Sequence, residues 1–331
     1  MPAVAVRARS LRKTFGDVVA LDHVDLEVPA GHVHGLVGPN GAGKTTLLGL
    51  LLGLSRPDAG TLEVAGSPAG LGAASVAGFV DGPGLYPALT ARQNLAALAS
   101  LRRGARRSDE AVDVDDLLDR VGLLDVADDR TRGFSLGMRQ RLGLAAALVG
   151  RPRVLVLDEP ANGLDPAGRQ QVHRVLSGLA RDGVGVVLSS HRMDDLAALC
   201  DEVTLLATGR VVFSGPIRDL AAEGGDLDHR VVTSRPDDAR ALAHLVPGLR
   251  VVDDPDAARA DDRALVVRGP ERAVDELVER LVGAGVAVRE LGPVVPPLEA
   301  AFLALTGTAA RADDGADDLA DDRTVAAGTP A

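Results

Sequence analysis

Lys44 is one of only two lysines among the 36 Lys and Arg residues of this chain. It stands in Gly38-Pro39-Asn40-Gly41-Ala42-Gly43-Lys44-Thr45-Thr46, which contains the phosphate-binding pattern G-x-x-x-x-G-K-[ST]. Each residue type has a task there. Glycines let successive backbone N–H groups close around a polyphosphate without Cβ interference. A compact ammonium on a flexible stem reaches β and γ oxygens where a planar guanidinium would not fit. Thr45 offers a hydroxyl to Mg2+. The apolar run from Thr46 to Leu52 predicts a buried helix whose N-terminal dipole points at the nucleotide.

A second constellation narrows the chemistry. Arg153-Val154-Leu155-Val156-Leu157-Asp158-Glu159-Pro160 is an apolar strand ending in two carboxylates, at the sheet edge where a γ-phosphate would lie. Asp158 can hold Mg2+ through water, and Glu159 can orient the attacking water and accept its proton. Taken alone, the same residues would make a strand with a solvated acidic turn. Upstream, Ser135 is an N-cap residue for the helix that runs from Leu136, and such a terminus attracts anions. An ordinary capped helix is the plainer reading of those residues.

The elements that must carry these groups can be read from periodicity. The first thirty residues alternate apolar and polar positions, as in Val24-Asp25-Leu26-Glu27-Val28, which predicts antiparallel strands with one covered face. His32 to Val37 is a strand feeding the phosphate loop. Residues 92–150 are mostly helical. The continuous apolar runs Val154–Leu157 and Val184–Leu188 suit a parallel sheet buried on both faces. From Arg230 onward the pattern reads strand, helix, strand, strand, helix, strand, the ferredoxin-like split. Its second helix carries one apolar stripe, Val274, Leu277, Val278, Leu281 and Val282, and residues 298–305 form a short amphipathic helix.

Bulk composition excludes several classes. The 331 residues are 46% hydrophobic, enough for two cores, and only 2% aromatic, so both cores are aliphatic. A net charge of −11 argues against a nucleic-acid binder, since no basic surplus exists to displace counterions. The run Arg102-Arg103-Gly104-Ala105-Arg106-Arg107 reads as a solvated helix end. The single Cys200 fits a small core residue and excludes an intrachain disulfide. The N-terminus lacks the apolar core of a signal peptide, and no apolar run approaches the ~18 residues of a bilayer span. A soluble, cytoplasmic protein is expected, reaching a membrane only through a partner.

With its serine-capped helix just ahead of the carboxylate strand, the chain resembles the ATP-binding cassette (ABC) family, whose signature has the form L-S-G-G-Q. Here Phe134-Ser135-Leu136-Gly137-Met138 keeps the serine and the second glycine and replaces the rest. The resemblance implies that Ser135 and the Gly137 amide of one subunit cover the γ-phosphate bound to the other. Asn162-Gly163-Leu164-Asp165-Pro166 matches the family's D-loop, which places Asp165 at the dimer seam. In Ser189-Ser190-His191, His191 matches the switch histidine that contacts the γ-phosphate. Phe15 takes the place of the aromatic that stacks on adenine, a core aromatic being its rival reading. Where the family's Q-loop has glutamine, Val80-Asp81-Gly82-Pro83 offers Asp81, which can still ligate Mg2+ but adds negative charge beside a triphosphate. The implied metal set is therefore Thr45, Asp81 and Asp158.

This resemblance covers residues 4 to about 220. The remainder is similar to the extension of exporters of the daunorubicin and bacitracin type, carried by Ser135-Leu136-Gly137-Met138-Arg139-Gln140 and by residues 297–307. The implied fold class is α/β, a P-loop NTPase of the ABC type with antiparallel β and helical subdomains (the latter about 90–150), plus a C-terminal α+β ferredoxin-like domain. Expected boundaries are 1–220, a linker at 221–227, the accessory domain at 228–306 and a disordered acidic tail at 307–331. The implied function is an ATPase that binds ATP and Mg2+ and pairs as a homodimer or heterodimer. It would drive a separately encoded membrane permease from the inner face of the membrane, exporting an amphiphilic cargo contacted mainly by the permease. Two rivals are a non-transport cassette acting on ribosomes or DNA, and a regulatory nucleotide-binding module; a tandem cassette or coiled-coil insert would favour the first, and the sequence has neither.

Overall fold

Alternating residues at the start of the chain form β1 (Val4–Phe15) and β2 (Val18–Pro29), which pair antiparallel. In the computed structural model, which describes residues 3–68, 75–103, 112–252 and 264–307, the chain divides into two compact units between Ile217 and Arg218. The acidic tail beyond 307 and Gly104 to Arg107 of the basic run lie outside the described residues.

In the first unit β3 (Val33–Val37) leads into α1 (Lys44–Leu51), and β4 (Ala59–Val64) and β5 (Ser67–Pro68) complete a sheet of order β2-β1-β4-β5. Then follow β6 (Val76–Phe79), α2 (Ala91–Arg103), α3 (Val114–Arg120), α4 (Leu136–Leu148), β7 (Val154–Leu157), α5 (Pro166–Arg181), β8 (Gly185–Ser189), α6 (Met193–Leu199), β9 (Glu202–Ala207) and β10 (Arg210–Pro216). The second sheet has the order β10-β9-β3-β8-β7-β6, parallel except at the β10 edge. Every residue of β3, β7 and β8 is buried, as continuous apolar runs in a doubly covered sheet require. Because β3, β8, β7 and β6 are neighbours running the same way, the loops leaving their carboxyl ends share one edge of the sheet. Those loops carry Lys44, His191, Asp158 with Glu159, and Asp81.

Local chemistry starts the helices where the site needs them. The Ser135 hydroxyl accepts from the Met138 N–H (3.2 Å) to cap α4. Asp165 accepts from the Gly168 N–H (2.8 Å) to cap α5, with Pro166 in the first turn. Buried Asn94 on α2 holds the segment after Asp81: its Oδ1 accepts from Tyr86 N (2.8 Å), and its Nδ2 donates to Tyr86 O (3.2 Å) and Thr90 O (2.9 Å).

The division falls after the first residue of α7 (Ile217–Ala222), and residues 221 and 222 of the expected linker are helical. The second unit continues as β11 (Asp228–Thr233), α8 (Pro236–Ala243), β12 (Arg250–Val252), β13 (Ala264–Arg268), α9 (Glu271–Gly283), β14 (Val288–Pro293) and α10 (residues 297–307). The antiparallel order β12-β13-β11-β14 is the ferredoxin-like arrangement. Val274, Leu277 and Leu281 of α9 enter its core beside Val231, Leu265 and Val267. Val282 corrects the expected stripe: it is 65% exposed, in the last turn of the helix.

Cys200 caps the end of α6, buried, and burial pushes its thiol up to about 12, with Asp201 and Asp195 adding to the effect. Such a thiol stays protonated and unreactive. No helix among the described residues is long and apolar enough to cross a membrane.

Candidate functional site

The phosphate loop closes onto α1 through Gly43, whose φ of 100° lies in the region that favours glycine. A Cβ there would come 2.5 Å from the Ala20 carbonyl oxygen, so no larger residue fits the turn. Lys44 Nζ donates to the Gly38 and Pro39 carbonyls (2.7 and 2.9 Å), which holds the ammonium over the loop that bears it. Burial pushes the Lys44 ammonium below its ordinary value, while Glu159 and Asp158 oppose the shift. A phosphate group supplies the negative charge that favours the protonated form. Leu47, Leu48, Leu50 and Leu51 anchor α1 in the core, so the loop is carried by a rigid element.

The carboxylates of the loop after β7 are aimed differently. Asp158 Oδ2 lies 3.4 Å from the Thr45 hydroxyl, and its Oδ1 accepts from Ser189 Oγ at 2.5 Å. Ser189 Oγ also accepts from the Glu159 N–H (2.9 Å). Glu159 has φ 48°, an uncommon conformation for a residue with a Cβ. Its Oε2 meets Nδ1 of His191 at 2.9 Å. Thus Thr45 meets Asp158 and Glu159 meets His191 at one edge of the sheet. Ser189 is the participant that sequence reasoning passed over; its one signal was a hydroxyl at the end of an apolar strand, two residues before His191.

Asp81 is exposed with φ 58°, and its backbone N–H, rather than its carboxylate, points to Asp158 Oδ2 (3.5 Å). The residues fit a hard divalent cation: the Thr45 hydroxyl and Asp158 Oδ2 are adjacent oxygen donors, and the other oxygen of Asp158 is already hydrogen-bonded. Phe15 is 55% exposed, which removes the core-aromatic reading. The chain's second lysine, Lys13, stands 5.4 Å from the centre of its ring. Asp58 fixes that strand end, accepting from Lys13 Nζ (2.9 Å) and from the Thr14 N–H and hydroxyl (2.7 Å each). These bonds, that to Lys13 first, hold the Asp58 carboxyl down at about 2.

The capped turn of α4 packs on the loop before α5. A Cβ at Gly137 would come 2.7 Å from the Leu164 side chain, so this glycine permits the close approach of the turn bearing Ser135 to the loop ending in Asp165. Arg139 clamps the same turn, donating from Nε and Nη2 to the Phe134 carbonyl (3.0 and 2.9 Å). Nearby, a groove of about 820 Å³ is lined by Asp81, Pro83, Leu85, Leu136, Asp158 and Glu159 among others. It adjoins the carboxylates and is partly apolar.

The ABC transporter family model matches residues 21–162. The chain is 37% identical over 325 residues to a daunorubicin resistance ATP-binding protein of Streptomyces coeruleorubidus, covering 96% of this chain and all of that protein. It is 35% identical over 220 residues to a bacitracin transport ATP-binding protein of Bacillus licheniformis, covering 65% of this chain and 71% of the relative. Among solved structures, an ATP-binding subunit of an ABC transporter superposes with a TM-score of 0.59 at 26% identity, covering 67% of this chain and 93% of that one. A dimeric cassette bound to ADP and phosphate superposes with a TM-score of 0.57 at 22% identity, covering 64% of this chain and 98% of its own, a likeness of fold.

Proposed function

This chain belongs to the ABC transporter family, among ATP-binding subunits related to drug resistance and antibiotic transport proteins, and from that premise we propose that it powers export of an amphiphilic compound through a separate membrane permease. The observation that carries the mechanism is the convergence of the Thr45 hydroxyl, Asp158 and the Glu159–His191 pair at one sheet edge. The loop from Gly38 to Gly43, through its backbone N–H groups other than at Pro39, which has none, and Lys44 Nζ cradle the β- and γ-phosphates, Thr46 continues the helix behind them, and Phe15 stacks on adenine. Glu159 orients a water and takes its proton as the water oxygen bonds to the γ-phosphorus. The bond from that phosphorus to the bridging oxygen breaks, leaving ADP and inorganic phosphate. His191 holds the Glu159 carboxylate and faces the γ-phosphate. Mg2+, held by Thr45 and through water by Asp158 with Asp81 at the rim, would supply charge neutralisation on the phosphates.

Two subunits, identical or sister, close over two ATP molecules. Ser135 and the Gly137 amide of each complete the partner's site, and Asp165 lies at the seam. The groove beside Asp81 receives a permease segment, so that closure is felt at the membrane's inner face. Full-length similarity to drug resistance proteins lends no support to a ribosome or DNA clamp or to a purely regulatory module. Affinity purification from solubilised host membranes tests the proposal. The expected result is a co-purifying membrane protein that, in vesicles, stimulates ATP turnover by the chain; turnover indifferent to every co-purifying membrane protein would sink the transport reading.

A further inference from the structure

We infer that Ser189 is a positioning residue for hydrolysis, its single hydroxyl setting the orientation of both carboxylates; this rests on the roles proposed above for Asp158 and Glu159. Ser189 is fully buried at the end of β8, so its side chain does not touch solvent. A hydroxyl has one proton to give. Here it goes to Asp158 Oδ1 (2.5 Å), a charge-assisted bond, while an oxygen lone pair receives the Glu159 N–H (2.9 Å).

Two consequences follow from that division of labour. With Oδ1 engaged, the Asp158 carboxylate cannot turn freely, and Oδ2 stays on the side of the Thr45 hydroxyl at 3.4 Å. At Glu159 the hydroxyl satisfies the amide of a residue in the left-handed region (φ 48°), a conformation that persists only when its surroundings over-determine it. The same tripeptide then reaches the far end of Glu159 through His191 Nδ1 at 2.9 Å. Glu159 is thereby gripped at its amide and at its carboxylate by residues two apart on one strand end. The neighbouring Ser190 provides an internal control. It too is buried, yet its hydroxyl accepts from the Arg192 N–H (3.1 Å), within its own turn.

The test uses the full chain with Ser189→Ala, Ser189→Cys, Ser189→Thr and Ser190→Ala. ATP turnover is measured against ATP concentration, and Mn2+ binding is followed by electron paramagnetic resonance in the presence of a non-hydrolysable ATP analogue. Loss of one hydrogen bond to a charged group predicts a fall in kcat of about tenfold to a hundredfold for Ser189→Ala, with the KM for ATP within about twofold. The Mn2+ concentration for half-saturation should rise, a change that a merely fold-fastening serine would not cause. Ser189→Cys, a weak donor of similar shape, should show the same split and stands in if the alanine variant does not fold. Threonine keeps the hydroxyl and should recover most of the turnover, and Ser190→Ala should stay within about twofold of wild type. Wild-type kcat and Mn2+ binding in Ser189→Ala or Ser189→Cys would overturn the inference, as would equal losses in Ser189→Thr or Ser190→Ala. Failure of the underlying reading would look different, since the wild-type chain itself would then hydrolyse no ATP.

Discussion

The two units are built from the same aliphatic residues and differ in where the backbone is forced. Among the described residues, all seven non-glycine positions with positive φ lie before the division at Ile217, from Ser10 to Thr208. Two of them, Asp81 and Glu159, stand on either side of Asp158, each with a backbone N–H in its hydrogen-bonding network. The second unit has none among its described residues, and its charges pair at the surface, as in the Arg268–Asp228 fork (2.6 and 2.7 Å). Two of the seven forced positions thus serve the loop ends where carboxylates must be aimed, the other five lying elsewhere in the first unit, while the described residues of the ferredoxin-like unit need no such position outside glycine.

That contrast can be broken by mutation. In the second unit a change should cost fold, and in the first it should cost ligand. Leu277→Ala, at a fully buried position of α9, should destabilise its unit by about 2–5 kcal/mol, read from hydrogen exchange in β11 and β13. Lys44→Ala should weaken nucleotide binding by about a hundredfold with the unfolding midpoint of the first unit nearly unchanged, measured by fluorescent nucleotide titration. A purely structural loss in that variant would erase the distinction. Phe15→Ala should weaken ATP binding by about tenfold, as expected for removal of one base–aromatic stack. Triphosphate binding should be unaffected, because the ring does not serve the phosphates.

The smallest expected effect concerns Asp58. Its folded value of about 2 lies below the ordinary 3.8, so its contribution is fully present above the unfolded value and is lost as pH falls through about 2. Asp58→Asn should be slightly less stable than wild type at neutral pH, and the gap should close between about pH 4 and pH 2. An unchanging gap across that window would remove the carboxylate from the explanation.

Much of this was legible in the residues. The phosphate loop, the carboxylate pair and the Ser135 cap are local patterns, His191 was singled out only through the family resemblance, and parallel strands buried on both faces betray themselves as continuous apolar runs. The Ser189 bridge was hidden because it depends on β7 and β8 being neighbours, and strand adjacency is a tertiary fact that no window of sequence carries. The close approach of Gly137 to Leu164 is hidden for the same reason. Val282 kept the helical period, yet a period says which face a residue takes and not where the packing against that face stops. Phe15 could be weighed only as ring or core until its exposure was known, because apolar aromatics suit both.

The central claim is that Glu159 is the proton acceptor in a site completed by a second subunit. It is tested most directly by Glu159→Gln, with sedimentation and phosphate release measured on the same sample in saturating Mg-ATP. The expected result is a stable dimer retaining ATP, with hydrolysis reduced by about a hundredfold or more. Phosphate release at the wild-type rate, or a species that stays monomeric under those conditions, would contradict it.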